Sequence, residues 1–322
     1  MTINDPTTID GTRTSLDPDA SAIADQLAAV IPGGLSSLGV AGVREFGRQS
    51  DAQTPPPPDV HSVSDHQVGG PHGDIPVRAY HPSSHQPTPV LIYIHGGGWT
   101  FGTIDGGVDH LCRSIVAASG ITVVSIDYRL APEHKFPVPV DEASAVLAWL
   151  RADATTLEID PSRIAIGGDS AGGNISATVT HLDRGAEPPL AAQILLYPAT
   201  EYAVERASWV ENAEAPVLTA RDTVWFWDQY LSDESDRTDP RATPANAKVF
   251  TDLPPALVVV AGHDPLRDDG LHYAELLESA GNAVQVERMN GAFHGFMTMP
   301  GLQAQAHGVD AVTRFLNSTL WE

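Results

Sequence analysis

Arg163-Ile-Ala-Ile-Gly-Gly-Asp-Ser-Ala-Gly172 is the stretch on which the fold turns. The apolar run Arg163 to Ile166 ends in Gly168-Asp169-Ser170-Ala171-Gly172, and a helix is predicted from Ala171 onward. Here G-x-S-x-G lies between a strand and a helix, where the chain must reverse sharply. Small residues flank the serine because such a strained turn leaves little room for side chains, and the turn lifts the hydroxyl clear of the sheet. Glycine and serine in five residues also mark ordinary loops. The strand-turn-helix placement is what gives this pattern chemical meaning.

On both sides of this turn the chain alternates apolar runs with helical periodicity. Val90-Leu-Ile-Tyr-Ile94 is followed by glycines and a helical stretch around Val108 to Ser119. Ile121-Thr-Val-Val-Ser-Ile126 precedes Val140, Ala143, Leu147 and Leu150 at helical spacing. Ala191 to Leu196 is another strand, and Ala256-Leu-Val-Val-Val-Ala261 leads to a helix with Leu271, Ala274 and Leu277. Val284 to Met289 precedes a last helix with Leu302, Val309, Val312 and Leu316. Continuously apolar strands between amphipathic helices imply an α/β class with a mostly parallel central sheet flanked by helices. Sites in such sheets form at the carboxyl ends of the strands.

Two segments stand outside the alternation. Near the start, Asp17 can cap and Pro18 can open a helix in which Ile23, Leu27 and Val30 recur. Gln53-Thr-Pro-Pro-Pro-Pro-Asp59 is too proline-rich for helix or central strand and predicts a stiff connector. Two short strands follow, near Val60 to His66 and Ile75 to Tyr80. Later, Tyr202 to Lys248 holds Trp209, Trp225, Phe226, Trp227 and Tyr230, with Thr219 and Asp222 spaced as a capping pair. The expected organisation is a cap segment and connector over 1–58, a core over 59–201, an inserted helical cap over 202–248 and the rest of the core over 249–322.

Charge and composition exclude several classes. Lys+Arg number 18 against 41 Asp+Glu, a net charge of −23 over 322 residues, so a nucleic-acid partner is not expected. The acidity favours solubility and fits a salty environment equally. The lone cysteine, Cys112, excludes an intrachain disulfide framework and suits a reducing compartment. The opening MTINDPTTIDGTRTSLDPDA lacks a basic and then apolar leader, and no run of roughly 18 apolar residues follows. The expectation is a cytoplasmic protein without membrane insertion, with a small molecule as partner and a homodimer left open. No His/Cys/Asp cluster has metal-ligand spacing, so neither a metal nor another cofactor is expected.

The loops after the strands carry the candidate chemistry. His95-Gly-Gly-Gly-Trp99 directly follows one apolar strand, and its glycines let backbone N–H groups approach an oxyanion. Gly97 and Gly98 are the expected donors, joined by the N–H of Ala171. His95, Gly96 and Asp169 support these motifs, with the His95 ring bracing the loop. A serine nucleophile needs a base, and imidazole suits neutral pH. With the acid and then the histidine following the serine in sequence, Asp264 and His294 fill those positions. His263 and His272 are the rival histidines. Asp268 and Asp269 are rival acids, but they fall where a helix should begin and are expected to meet its exposed N–H groups. Trp99, Trp209, Phe226 and Trp227 are the candidate pocket residues, with simple packing as the alternative for some of them.

With these motifs and Asp127-Tyr-Arg-Leu-Ala-Pro-Glu133 and Asp264-Pro-Leu-Arg-Asp268, the sequence from about Val90 to Phe315 resembles the hormone-sensitive-lipase-like, bacterial family IV esterases of the Gly-Asp-Ser-Ala-Gly branch. The resemblance implies an α/β-hydrolase fold, a Ser170-Asp264-His294 triad, an oxyanion hole and a cap built partly from the amino terminus. It implies ester hydrolysis through an acyl-enzyme, and a capped pocket with the aromatics of 202–248 predicts a preference for short- to medium-chain carboxylic esters. A lactonase or amidase would use the same residues, and a non-catalytic small-molecule receptor would use the same fold. A peptidase with a separate propeller domain does not fit a chain of this length.

Overall fold

Successive residues of Val90-Leu-Ile-Tyr-Ile94 feed opposite cores. Val90, Ile92 and Ile94 pack with Val140, Val146 and Ile175, whereas Leu91 and Tyr93 pack with Leu111, Ile115, Val312 and Leu316. Because a strand's side chains alternate between faces, an uninterrupted apolar run is what a strand buried on both sides requires. The computed structural model describes residues 14–84 and 86–321. Residues 1–13 of the expected first cap segment, together with His85 and Glu322, lie outside the described residues.

Among the described residues the strands are β1 (Ser62–Gly70), β2 (Gly73–His81), β3 (Thr88–Ile94), β4 (Thr122–Ile126), β5 (Ile159–Asp169), β6 (Ala192–Leu196), β7 (Ala256–His263) and β8 (Val284–Phe293). They form one sheet in the order β1-β2-β4-β3-β5-β6-β7-β8. β1 pairs with β2, and β2 with β4, in antiparallel fashion; every other pairing is parallel. The antiparallel hairpin accounts for the alternating burial of β2, since Ile75, Val77 and Ala79 point to the core. Helices α3 (Gly106–Ser119), α4 (Val138–Ala152), α5 (Ala171–Leu182), α8 (Arg267–Ser279) and α9 (Gln303–Leu320) cover the sheet, with α3 against α9 and α4 against α5.

The chain before the connector forms α1 (Pro18–Val30) and α2 (Gly39–Asp51), and the insertion forms α6 (Ala207–Glu211) and α7 (Ala220–Tyr230). Pro55 to Pro58 are neither helix nor strand, as their composition predicts. Two details differ from the sequence expectation. Asp17 precedes α1 without a side-chain cap bond, and the buried residues of α1 are Ala20 and Ala24 while Val30 is exposed. The small residues lie on β8, where the backbone N–H of Asp17 donates to the Gly291 carbonyl, so bulk is not wanted there. Second, the span Pro18–Asp51 contains an 18-residue window of mean hydropathy 1.4, apolar enough by composition to cross a membrane. Pro32-Gly33-Gly34 divides it, and α1 and α2 have 13 residues each, short of the roughly 20 that a crossing needs.

One carboxylate joins the two segments outside the core. Thr219 and Asp222 form the expected capping box of α7: the Asp222 N–H donates to Thr219 Oγ1 at 3.0 Å, and the Thr219 N–H donates to Asp222 Oδ2 at 3.1 Å. The other oxygen, Oδ1, accepts the Ser36 N–H at 2.8 Å, and Arg221 donates to the Gly33 carbonyl. Asp222 is fully buried, so its loss strands two donors at once. Asp222→Ala should lower unfolding free energy by about 2–3 kcal/mol in urea titrations, through the lost cap and the orphaned Ser36 N–H. Thr223→Ala, one residue on, should cost less than half as much.

Candidate functional site

Ser170 is the single residue between β5 and α5, held at φ 54° and ψ −117°. Its N–H donates to the Leu196 carbonyl at 2.8 Å, and its own carbonyl accepts the Asn174 N–H at 3.0 Å. The turn needs glycine two positions away on either side: a Cβ on Gly168 or Gly172 would run into the Ile94 carbonyl at the end of β3. A positive φ at a residue with a Cβ is strained, and here the flanking strand and helix hold it.

The expected acid and base follow the two strands at the far edge. Asp264 follows β7 and is fully buried; its Oδ1 accepts the Leu266 N–H at 2.8 Å, and Asn212 donates to its carbonyl at 3.1 Å. His294 follows β8 immediately, ahead of Gly295 at φ 84°. His294 Nδ1 lies 2.7 Å from Asp264 Oδ2, and Nε2 lies 2.8 Å from Ser170 Oγ. With a neutral imidazole, Nδ1–H donates to the carboxylate and Nε2 is left to accept the serine hydroxyl. The Tyr197 ring packs against the imidazole at 4.8 Å between centroids.

The glycine loop sits opposite. Gly97 and Gly98 have φ 103° and 54°, and the Gly97 carbonyl accepts the N–H groups of Thr100 and Phe101, closing a tight turn. A Cβ on Gly97 would strike the Phe101 carbonyl, and one on Gly98 would strike the Phe226 ring. Among the described residues no protein acceptor takes the N–H of Gly97, Gly98 or Ala171. Asp169 binds the loop to β5, its Oδ1 accepting the Tyr93 hydroxyl at 2.7 Å and the Gly96 N–H at 3.0 Å. Burial raises the Asp169 carboxyl, and those two donors pull it back down. The His95 ring stacks on Tyr128 at 4.3 Å, while its Nδ1 meets the Gly96 carbonyl and Tyr128 Oη donates to the His95 carbonyl. Asp127 to Glu133 thus braces the loop, and Arg44 of α2 adds bonds to the Thr100 and Ala131 carbonyls and to Glu133.

Ser170, His294 and the glycine loop border a cavity of about 190 Å³ whose wall also includes Phe46, Asp51, Phe101, Leu218 and Met299. A family model described as the alpha/beta hydrolase fold matches residues 91–298. The chain belongs to the hormone-sensitive-lipase-like α/β hydrolases. It is 44% identical over 254 residues to the carboxylic ester hydrolase LipN of Mycobacterium tuberculosis, covering 76% of this chain and 67% of that one. It is 38% identical to the ethyl acetate hydrolase of Pseudomonas putida, covering 72% and 74%. The structure of a hyperthermophilic esterase from the archaeon Pyrobaculum calidifontis superposes with a TM-score of 0.88 at 37% identity, covering 95% and 99%.

Within this α/β hydrolase the aromatic candidates separate. Trp99, Phe226 and Trp227 border the cavity, and Trp99 stacks on Tyr230 at 4.3 Å and tilts against Trp227 at 4.5 Å. Trp209 does not border it: its indole N–H donates to Asp269 Oδ1 at 3.0 Å, beneath α6. That bond also corrects the expectation for Asp269, which serves Trp209 instead of the N–H groups of α8. Asp268 likewise accepts the Ser208 N–H and pairs with Arg267. The rival His263 reaches the Thr14 carbonyl with Nε2. Tyr93, Asn212, Asp51 and Phe101 went unnoticed in the sequence because no local pattern marks them; each matters through residues distant along the chain.

Complete burial lowers the His95 pKa from its ordinary 6.5 to about 4, and His181 is lowered to about 4 by burial and then by Arg184. A histidine with a depressed native value is protonated first in the unfolded chain, so the unfolded state binds more protons as pH falls through 6.5. Stability should therefore be fully present above about pH 6.5 and be lost progressively toward about pH 4, by roughly 3 kcal/mol for His95. In urea unfolding across that window, His95→Gln should remove part of the slope; an unchanged slope would contradict a neutral buried His95.

Proposed function

We propose that the protein is a serine carboxylesterase that hydrolyses short- to medium-chain esters through an acyl-enzyme. The observation that carries this is the relay from Ser170 through His294 to Asp264, at 2.8 and 2.7 Å, facing unpartnered N–H groups across one cavity. His294 Nε2 takes the serine proton as Oγ attacks the ester carbonyl, and Asp264 holds the tautomer and stabilises the imidazolium. The carbonyl oxygen gains charge at Gly97, Gly98 and Ala171, whose N–H groups are fixed before reaction begins. His294 then gives its proton to the departing alkoxide. A water, deprotonated by the same nitrogen, attacks the acyl-serine; the acyl–Oγ bond then breaks, His294 returns the proton to Ser170 Oγ, and the acid leaves. Every proton and charge in this cycle is handled by these residues, so the chemistry calls for no cofactor.

Residues 1–58 and 202–248 act as the cap in this scheme, placing Phe46, Leu218, Phe226 and Trp227 over the core site. A cavity of about 190 Å³ with those walls favours modest acyl chains, and the ethyl acetate hydrolase among the relatives supports small esters. The single buried Cys112 agrees with a cytoplasmic location.

Hydrolysis of p-nitrophenyl esters of rising acyl length tests this. Each methylene that fits should add up to about 0.8 kcal/mol to transition-state binding, so kcat/KM should climb and then fall at the cavity wall. Ser170→Ala and His294→Ala should each lower kcat by several orders of magnitude with the fold retained. A folded Ser170→Ala enzyme with undiminished turnover would refute the assignment. Gly97→Ala, whose Cβ collides with the Phe101 carbonyl, should lower kcat roughly 10²–10³-fold with a smaller change in KM; the opposite split would leave the loop a shaping role only.

A further inference from the structure

The wall of the substrate cavity is unusual in its charges. Among the described residues bordering it there is no lysine or arginine, but there are two carboxylates, Asp51 and Asp169. Asp169 is spoken for by the Tyr93 hydroxyl and the Gly96 N–H. Asp51 is different. Its Oδ2 accepts the Thr103 hydroxyl at 3.1 Å, yet among the described residues it has no ion pair. A carboxylate offers about four acceptor sites, so capacity remains after this bond. Burial holds its carboxyl above the ordinary range, with the Thr103 and Gly107 donors pulling the other way. A partly buried anion in that state is stabilised by any cation brought beside it.

Aromatic rings complete the surroundings. The Phe101 ring packs on Gly47 of α2, and Asp51 lies four residues further along that helix, one turn away on the same face. Phe101 is stacked on Phe226 at 5.8 Å between centroids. A carboxylate in the same cavity wall as two aromatic rings, with no lysine or arginine among the described lining residues, is the chemistry that recognises an alkylammonium group. The protein's net charge of −23 draws cations toward it and repels anions.

We propose that the cavity selects esters bearing a cationic amine, with Asp51 as counter-ion and Phe101 and Phe226 as the aromatic wall. This rests on the esterase assignment above, and it adds the class of substrate. The cationic group belongs on the part of the ester that lies toward α2, leaving the scissile carbonyl at Ser170. Esters that carry a carboxylate in the same place meet Asp51 as a like charge and are rejected.

The test compares two acetate esters of equal shape and different charge, acetylcholine and 3,3-dimethylbutyl acetate, by pH-stat titration of the released acid. The full-length enzyme should show kcat/KM about tenfold higher for the cationic ester. In Asp51→Asn that ratio should fall toward one. A purely structural Asp51, tethering α2 to α3, would lower both esters alike and leave the ratio intact, which overturns the proposal. So does a wild-type ratio of one or less. Should Asp51→Asn fail to fold, inhibition of wild-type p-nitrophenyl acetate hydrolysis decides: tetramethylammonium should compete more tightly than neopentyl alcohol, and equal or weaker competition overturns the proposal. Absence of Ser170-dependent hydrolysis on every ester, p-nitrophenyl acetate included, would instead mark failure of the esterase assignment itself.

Discussion

The close approach of the β5–α5 turn to the end of β3 is the constraint on which the site depends. The Ile94 carbonyl occupies the space that a side chain at position 168 or 172 would need, so glycine at both places lets α5 begin directly beside the glycine loop. That contact brings the Ala171 N–H to the same side as Gly97 and Gly98, and it leaves Ser170 at a positive φ with its hydroxyl out of the sheet. Asp169 locks the two loops together through Tyr93 and Gly96. A buried carboxylate with two donors is a stiff fastener, because breaking either bond leaves a polar atom without water.

Around this contact, parallel strands do the rest of the assembly. β3, β5, β7 and β8 all run the same way, so the residues that follow them emerge at one edge of the sheet. His294 meets Ser170 across 124 positions of sequence and Asp264 across 30. The helices outside the core are joined to each other through Asp222 and Ser36, and to that edge through Arg44 and Thr100 and through Asp51 and Thr103. Apolar contact fills in between, chiefly Trp99 between Trp227 and Tyr230. The cavity therefore has a floor set by the sheet and a roof set by segments that are short, separate in sequence and held by individual side chains.

Charge is distributed with a corresponding economy. Most arginines are committed to nearby acids, as Arg78 is to Asp65 and Asp105, Arg151 to Asp183 and Arg267 to Glu211 and Asp268. Among the described residues no arginine borders the cavity. Such pairing fixes where negative potential is left uncompensated.

The local part of this protein was written in its sequence. Continuous apolar runs require strands covered on both faces, and glycines around Ser170 and after Ile94 mark turns that only small residues can make; both are properties of a few adjacent residues. The candidates Ser170, Asp264 and His294 were legible from a serine–acid–histidine order read onto loops that end apolar strands, and the Thr219–Asp222 capping pair from spacing alone. What required the tertiary structure is every choice among chemically similar residues. Trp209 and Trp227 are equally aromatic in sequence, yet one serves Asp269 and the other faces the cavity, because they stand on different helices of the insertion. Asp222 reaches Ser36 across 186 positions, and Asp51 enters the cavity wall only because α2 lies against the start of α3. Such pairings depend on how separate elements pack, and no periodicity within one element encodes its distance from another.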